Sequence, residues 1–125
     1  MEGCKKLKIL VADDDPFLFF LISKYLEPIA THIAHANDGK EAVEFCKKEQ
    51  YDIVLMNIQM PVMDGFKATQ EIRGFNKEIV IIAQTTYHYD PERFFAGGFT
   101  DYIFTPFSSE DLMLLIKKYI IQKLQ

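Results

Sequence analysis

Short apolar runs alternate with amphipathic stretches along the chain, and the alternation predicts five strand-then-helix units. Residues 9–12 form a continuous apolar run that ends in Asp13, Asp14 and Asp15, as expected of a strand buried on both faces. Asp15 followed by Pro16 reads as an N-cap with proline at the first helical position, and that helix should run to about Glu27, where Pro28 stops it. Residues 31–34 make a second, poorer strand, after which Asn37, Asp38 and Gly39 supply a turn and cap for a helix reaching about Lys48. Residues 53–56 are the third strand, 57–65 a loop with Pro61 and an Asp64–Gly65 turn, and 66–73 a helix. Residues 79–83 are the fourth and most apolar strand. A short helix over 91–96, a strand over 102–104 and a long amphipathic helix over 109–123, capped by Ser108 or Ser109, complete the pattern.

The alternation implies an α/β fold, a parallel sheet with helices on both faces, because crossovers between parallel strands are right-handed. Ligands of such sheets bind beyond the carboxyl ends of the strands. The candidate functional residues are therefore those that end strands: Asp13 and Asp14, Asn57, Thr85 and Thr105.

Length and composition narrow the class without changing the pattern. The chain has 125 residues, enough for one domain over 1–125, and its 49% hydrophobic and 26% charged residues are those of a soluble globular protein. Fourteen Lys and Arg against 18 Asp and Glu give a net charge of −4, which offers no electrostatic basis for direct nucleic-acid binding. Cys4 and Cys46 have neither metal-ligand spacing nor a disulfide framework around them, which fits a reducing cytoplasm. The opening MEGCKKLKIL lacks the long apolar core of a signal peptide, and no segment reaches the ~18 apolar residues of a membrane span. A soluble, cytoplasmic protein with no membrane contact is expected.

The segment YDIVLMNIQMPVMDGFKATQEIR, residues 51–73, together with ILVADDD at the first strand, IIAQTT at the fourth and DYIFTPF at the fifth, resembles the receiver domain of two-component response regulators over nearly the whole chain. The resemblance implies a flavodoxin-like, doubly wound, five-stranded parallel sheet in the order 2-1-3-4-5 with five helices. It also implies a phosphorelay module in which a strand-end aspartate takes a phosphoryl group from a histidine kinase, assisted by Mg²⁺. On this resemblance Asp13 and Asp14 match the acidic pair that serves the metal, and the backbone carbonyl of Gln59 matches a further ligand. Thr85 matches the hydroxyl that contacts the phosphoryl group, Tyr102 the aromatic whose rotation follows it, and Pro106 the proline after the family's lysine, a bond often cis.

Two positions depart from the family pattern. Asn57 stands where the phosphoacceptor aspartate belongs, and Thr105 where the lysine belongs. A carboxamide is a neutral, poor nucleophile, so Asn57 should form no acyl phosphate, and Thr105 supplies no positive charge. Three aspartates and a lysine sum to −2, and Asp13 and Asp14 with neutral Asn57 and Thr105 also sum to −2, so the two departures balance. That balance favours a natural pseudo-receiver that acts by protein–protein interaction. The alternative is a phosphorylatable receiver in which Asn57 replaces the aspartate by design. A third reading, a flavodoxin-like ligand binder, lacks a glycine- and hydroxyl-rich phosphate loop. Weak Mg²⁺ binding by Asp13, Asp14, the Gln59 carbonyl and the Asn57 amide oxygen is expected.

Partners implied are a histidine kinase, a phosphotransfer protein or an output domain. The first helix is unusually apolar: only Ser23, Lys24 and Glu27 are polar, so some of Leu18, Phe19 and Ile22 should reach solvent and offer a partner or homodimer surface. Phe94, Phe95, Phe99, Tyr102, Phe104 and Phe107 crowd the last third, and the face of the fourth helix, fifth strand and fifth helix is the second candidate surface. His88 reads as a solvated surface histidine.

Overall fold

The computed structural model of the protein is described for residues 7–124, with side chains described through residue 121. Cys4 lies outside the described residues. The elements are β1 (Leu7–Ala12), α1 (Pro16–Leu26), β2 (Ala30–Ala36), α2 (Gly39–Lys48), β3 (Ile53–Asn57), α3 (Gly65–Arg73), β4 (Val80–Thr85), α4 (Pro91–Ala96), β5 (Asp101–Phe104) and α5 (Ser109–Leu124). All strand pairs are parallel and the order is β2-β1-β3-β4-β5, the flavodoxin-like doubly wound arrangement.

Side-chain alternation along the central strands splits the core into two layers. Leu10 and Ala12 of β1, Val54 and Met56 of β3, and Ile81 and Ala83 of β4 face α2, α3 and α4, where Ala42, Val43, Ala68, Ile72 and Phe94 complete the layer. Ile9, Val11, Ile53, Leu55 and Ile82 face the other way, against Ile22 and Leu26 of α1 and Leu112, Ile116 and Ile120 of α5. Each fully buried large side chain contributes roughly 1.5–3 kcal/mol, which holds the strand ends in fixed register.

Polar caps fix where most of the helices begin. Asp15 accepts from the backbone N–H of Phe17 at 2.9 Å, Asp38 from Glu41 at 2.8 Å and Asp64 from Lys67 at 2.8 Å. Ser108 and Asp111 cap α5 reciprocally, each side chain accepting from the other's backbone N–H. Ser108 is thus the cap that sequence left open between Ser108 and Ser109.

All five strands extend by a residue or more beyond their predicted limits, and two of the extensions matter. β2 runs over Ala30–Ala36 because it is an edge strand, where histidines and threonine are tolerated on its open side. β4 reaches Thr85, so Gln84 pairs in register with Asn57 instead of lying in a loop.

The expectation for α1 needs correction. Ile22 is fully buried, and Leu18 and Phe19 are partly buried against the α1–α5 layer. The exposed residues are Phe17 at 73%, Phe20 at 56% and Leu21 at 37%. The helix is apolar nearly all round, so composition gave no phase for the stripe; packing against α5 and β2 decided it.

Candidate functional site

Beyond the carboxyl ends of β1, β3, β4 and β5 lies a cleft of about 240 Å³ lined by Asp13, Asp14, Asp15, Leu18, Asn57, Gln59, Gln84, Thr85, Thr86 and Thr105. The five strand-end candidates read from sequence, Asp13, Asp14, Asn57, Thr85 and Thr105, therefore meet in one place with Gln59, which the family resemblance added. Tyr102 does not line it. Its ring stacks instead on Phe94, with centroids 4.8 Å apart and planes 9° from parallel, and lies beside Phe104 and Phe95.

Short local bonds hold the cleft walls. The β3–α3 loop folds back so closely that a Cβ at Gly65 would fall 2.4 Å from the backbone oxygen of Asn57, and only glycine fits there. The N–H of Gly65 donates to the carbonyl of Ile58 at 2.7 Å, and that of Ile58 to the carbonyl of Gln84 at 3.2 Å. Thr105 donates its backbone N–H to the carbonyl of Thr85 at 2.9 Å, and the Thr105–Pro106 peptide is cis. The Thr85 hydroxyl accepts from the backbone N–H of Tyr87 at 3.1 Å, so in this state it serves the neighbouring turn.

Asp13 is the electrostatic centre. It is 1% exposed; its Oδ1 accepts from the Asp15 N–H at 2.9 Å and its Oδ2 from the side-chain Nε2 of Gln84 at 2.8 Å. Burial pushes its carboxyl above the usual range; the Asp15 N–H pulls it back, and the charges of Asp14 and Asp15 push it further up. His35 of β2 donates Nε2–H to the Asp13 backbone carbonyl at 2.8 Å. Asp14, by contrast, is exposed, and Asp15 is occupied as the α1 cap. Asn57 donates Nδ2 to the Gln59 carbonyl at 3.1 Å.

Two participants escaped the sequence reading, Gln84 and His35. A glutamine inside the run Val80–Thr85 was the available signal, since a polar side chain in a strand buried on both faces must find a partner. His88, by contrast, is exposed as expected, its ring stacked on Phe104 with centroids 3.9 Å apart.

A family profile for the response regulator receiver domain matches residues 9–117, and the chain belongs to that family. Transcription factor SKN7 of Saccharomyces cerevisiae is 33% identical over 118 residues, covering 93% of this chain and 19% of that protein. The crystal structure of the receiver domain of sensor histidine kinase PA1611 from Pseudomonas aeruginosa, with magnesium coordinated in its active-site cleft, superposes with a TM-score of 0.83 at 29% identity, covering 91% of this chain and 97% of that one. The receiver domain of Saccharomyces cerevisiae Ssk1, co-crystallised with the histidine phosphotransfer protein Ypd1, shares the fold at a TM-score of 0.84 and 23% identity, over 94% and 91% of the two chains. The chain spans between 13% and 49% of the length of the first curated relatives it matches. It is thus a two-component receiver domain of phosphorelay signalling, a signalling module by family.

Of the groups that the family resemblance assigns to Mg²⁺, the Asp13 carboxylate and the Gln59 carbonyl each accept one side-chain amide N–H donor, and Asp14 is exposed. Among the described residues no cluster of three or more His, Cys, Asp or Glu could hold a metal ion. No described helix is long and apolar enough to cross a membrane.

Proposed function

We propose that this receiver domain, residues 1–125, signals by binding a protein partner and accepts no phosphoryl group; it is not an enzyme. The observation that carries the reading is the pair of substitutions in the cleft. Asn57 offers a carboxamide whose nitrogen is engaged by Gln59, and Thr105 offers no cation to steady phosphoryl oxygens. Mg²⁺ binding is weak, with Asp14 the one implied carboxylate ligand that stays exposed.

The partner surface in this reading is the exposed arc of α1, Phe17, Phe20 and Leu21, next to the acidic mouth of the cleft. A histidine phosphotransfer protein, a histidine kinase or an output domain is the partner class, and the co-crystallised Ssk1 receiver supports the first of these. A homodimer through α1 or through α4, β5 and α5 competes for the same role; Phe95, Leu114 and Ile121 are exposed on the second face. The setting is cytoplasmic.

Incubation with acetyl phosphate and Mg²⁺ followed by intact-mass measurement tests the proposal. No adduct is expected. A gain of one phosphoryl group mapped to the loop after β3 would overturn it, and Asn57→Asp with Thr105→Lys, which restores both family residues, is the positive control.

A further inference from the structure

The oxygen that would most need a cation in this cleft already has a donor of its own. Gln84 and Asp13 are each 1% exposed, 71 positions apart in sequence, and joined by the 2.8 Å bond from Nε2 to Oδ2. A hydrogen bond to an ionised carboxylate in a buried place is among the stronger kinds, because no water competes for either group. The bond also orients the amide at a cost: Gln84 Oε1 is left buried and without a partner. Turning the amide over would relieve that oxygen only by setting it against Asp13 Oδ2, two acceptors face to face. The negative charge of Asp13 therefore selects the orientation, and the N–H dipole points its positive end at the lone pairs a metal would use.

Asn57 repeats the device on the other wall, its Nδ2 on the Gln59 carbonyl at 3.1 Å, and the two carboxamides are register partners across β3 and β4. A cation that binds here meets an amide N–H already on Asp13 and another on the Gln59 carbonyl, each occupying one acceptor site.

We propose that Gln84 sets the cleft's affinity for divalent cations, holding Mg²⁺ off by giving Asp13 an uncharged N–H donor in place of a metal ion. Two acceptors of the cleft are then served by its own side chains, and the conformation presented to partners does not depend on Mg²⁺. The inference rests on the same cleft as the proposed function but not on phosphoryl acceptance. A phosphoryl adduct in the mass measurement would sink the earlier reading and leave this one standing, while the affinities below can fail with no adduct formed.

The test is a Mg²⁺ titration of the protein and of Gln84→Met and Gln84→Leu, followed by calorimetry and backbone amide shifts at Asp13, Asp14 and Gln59. Releasing one hydrogen bond to a charged group corresponds to about tenfold or more in affinity, so both variants should bind Mg²⁺ at least about tenfold tighter with Asn57 unchanged. Equal affinity in parent and variants overturns the proposal. Should neither variant fold, Asn57→Asp carries the question: as Mg²⁺ fills its site, the Gln84 side-chain NH₂ signals should move away from their Asp13-bound position. Signals that stay in place while the ion binds overturn the proposal equally.

Discussion

Phe19 of α1 lies flat on His35 of β2, ring centroids 4.0 Å apart and planes 5° from parallel, and His35 in turn donates to the Asp13 backbone carbonyl. One side of α1 is thereby tied to the cleft through a stacked ring and a hydrogen bond, while Phe17, Phe20 and Leu21 point to solvent. Phe19→Lys should destabilise the fold by roughly 2–3 kcal/mol, the range for removing a large apolar side chain. Phe20→Lys should change stability by no more than about 0.5 kcal/mol yet abolish association with a partner or second copy. Thermal melting with light scattering or a phosphotransfer-protein pull-down separates the two. Loss of stability in Phe20→Lys, or unchanged association, sinks the α1 surface.

Asp13 has its carboxyl raised by burial, which means that its charge is unwelcome where it sits. Asn in its place removes the charge and lets the Gln84 amide turn, so that the new Nδ2 donates to Gln84 Oε1 while Oδ1 still accepts from the Asp15 N–H. Asp13→Asn is expected to stabilise the domain at neutral pH by about 1 kcal/mol through relief of the buried charge, since the bond lost from Gln84 Nε2 is exchanged for the one gained at Oε1. A urea midpoint at or below that of the parent would contradict this account.

The strand ends were legible in sequence because each terminates an apolar run with a polar residue. Asp13, Asn57, Thr85 and Thr105 could be placed from that pattern, and the order of the strands followed from the receiver likeness of residues 51–73. What sequence could not show depends on contact between distant elements. Gln84 fell just past the predicted fourth strand, and its role was hidden until its partner, 71 positions away, was in view. The phase of α1 was unreadable for a different reason: a helix apolar on nearly every side buries whichever residues its neighbours reach, here Ile22 and Leu26. The length of β2 was hidden because edge strands need no apolar alternation on the open side.

Val62 is the sole non-glycine residue with positive φ among the described residues, at φ 70, and it is 77% exposed. It centres a three-residue turn in which the Met63 N–H donates to the Pro61 carbonyl at 2.7 Å. This turn is uncommon and a β-branched side chain is poorly suited to it. Val62→Asn keeps the turn, relieves the branch and avoids the backbone entropy that glycine would add. It should stabilise the domain by about 1 kcal/mol. Urea unfolding of the two proteins decides, and a less stable Val62→Asn would show that Val62 packs against something its exposure does not reveal.

Tyr119 of α5 donates its hydroxyl to Asp101 Oδ2, and Lys118 approaches the same oxygen at 3.4 Å. Asp101 opens β5 and also accepts the Tyr102 N–H on its other oxygen at 2.8 Å, so the pair pins the last helix to the edge strand. Burial first, then the Asp101 carboxylate, pushes the Tyr119 phenol up to about 12. In the unfolded chain the phenol titrates near ~10, so the folded state holds this proton more tightly. The contribution to stability is therefore complete below about pH 10 and is lost as pH rises toward 12, because the unfolded chain ionises first. Tyr119→Phe should cost roughly 1–2 kcal/mol at pH 7, the worth of a hydrogen bond to a charged acceptor with part of it open to solvent. The gap between parent and variant should shrink steadily above pH 10. Lysines and the other tyrosines titrate alike in both proteins and cancel in that difference. Urea denaturation of the pair at neutral pH and at several points above pH 10 gives the answer: a gap that stays constant across the range, or a variant as stable as the parent at pH 7, would mean that the Tyr119–Asp101 bond does not anchor α5.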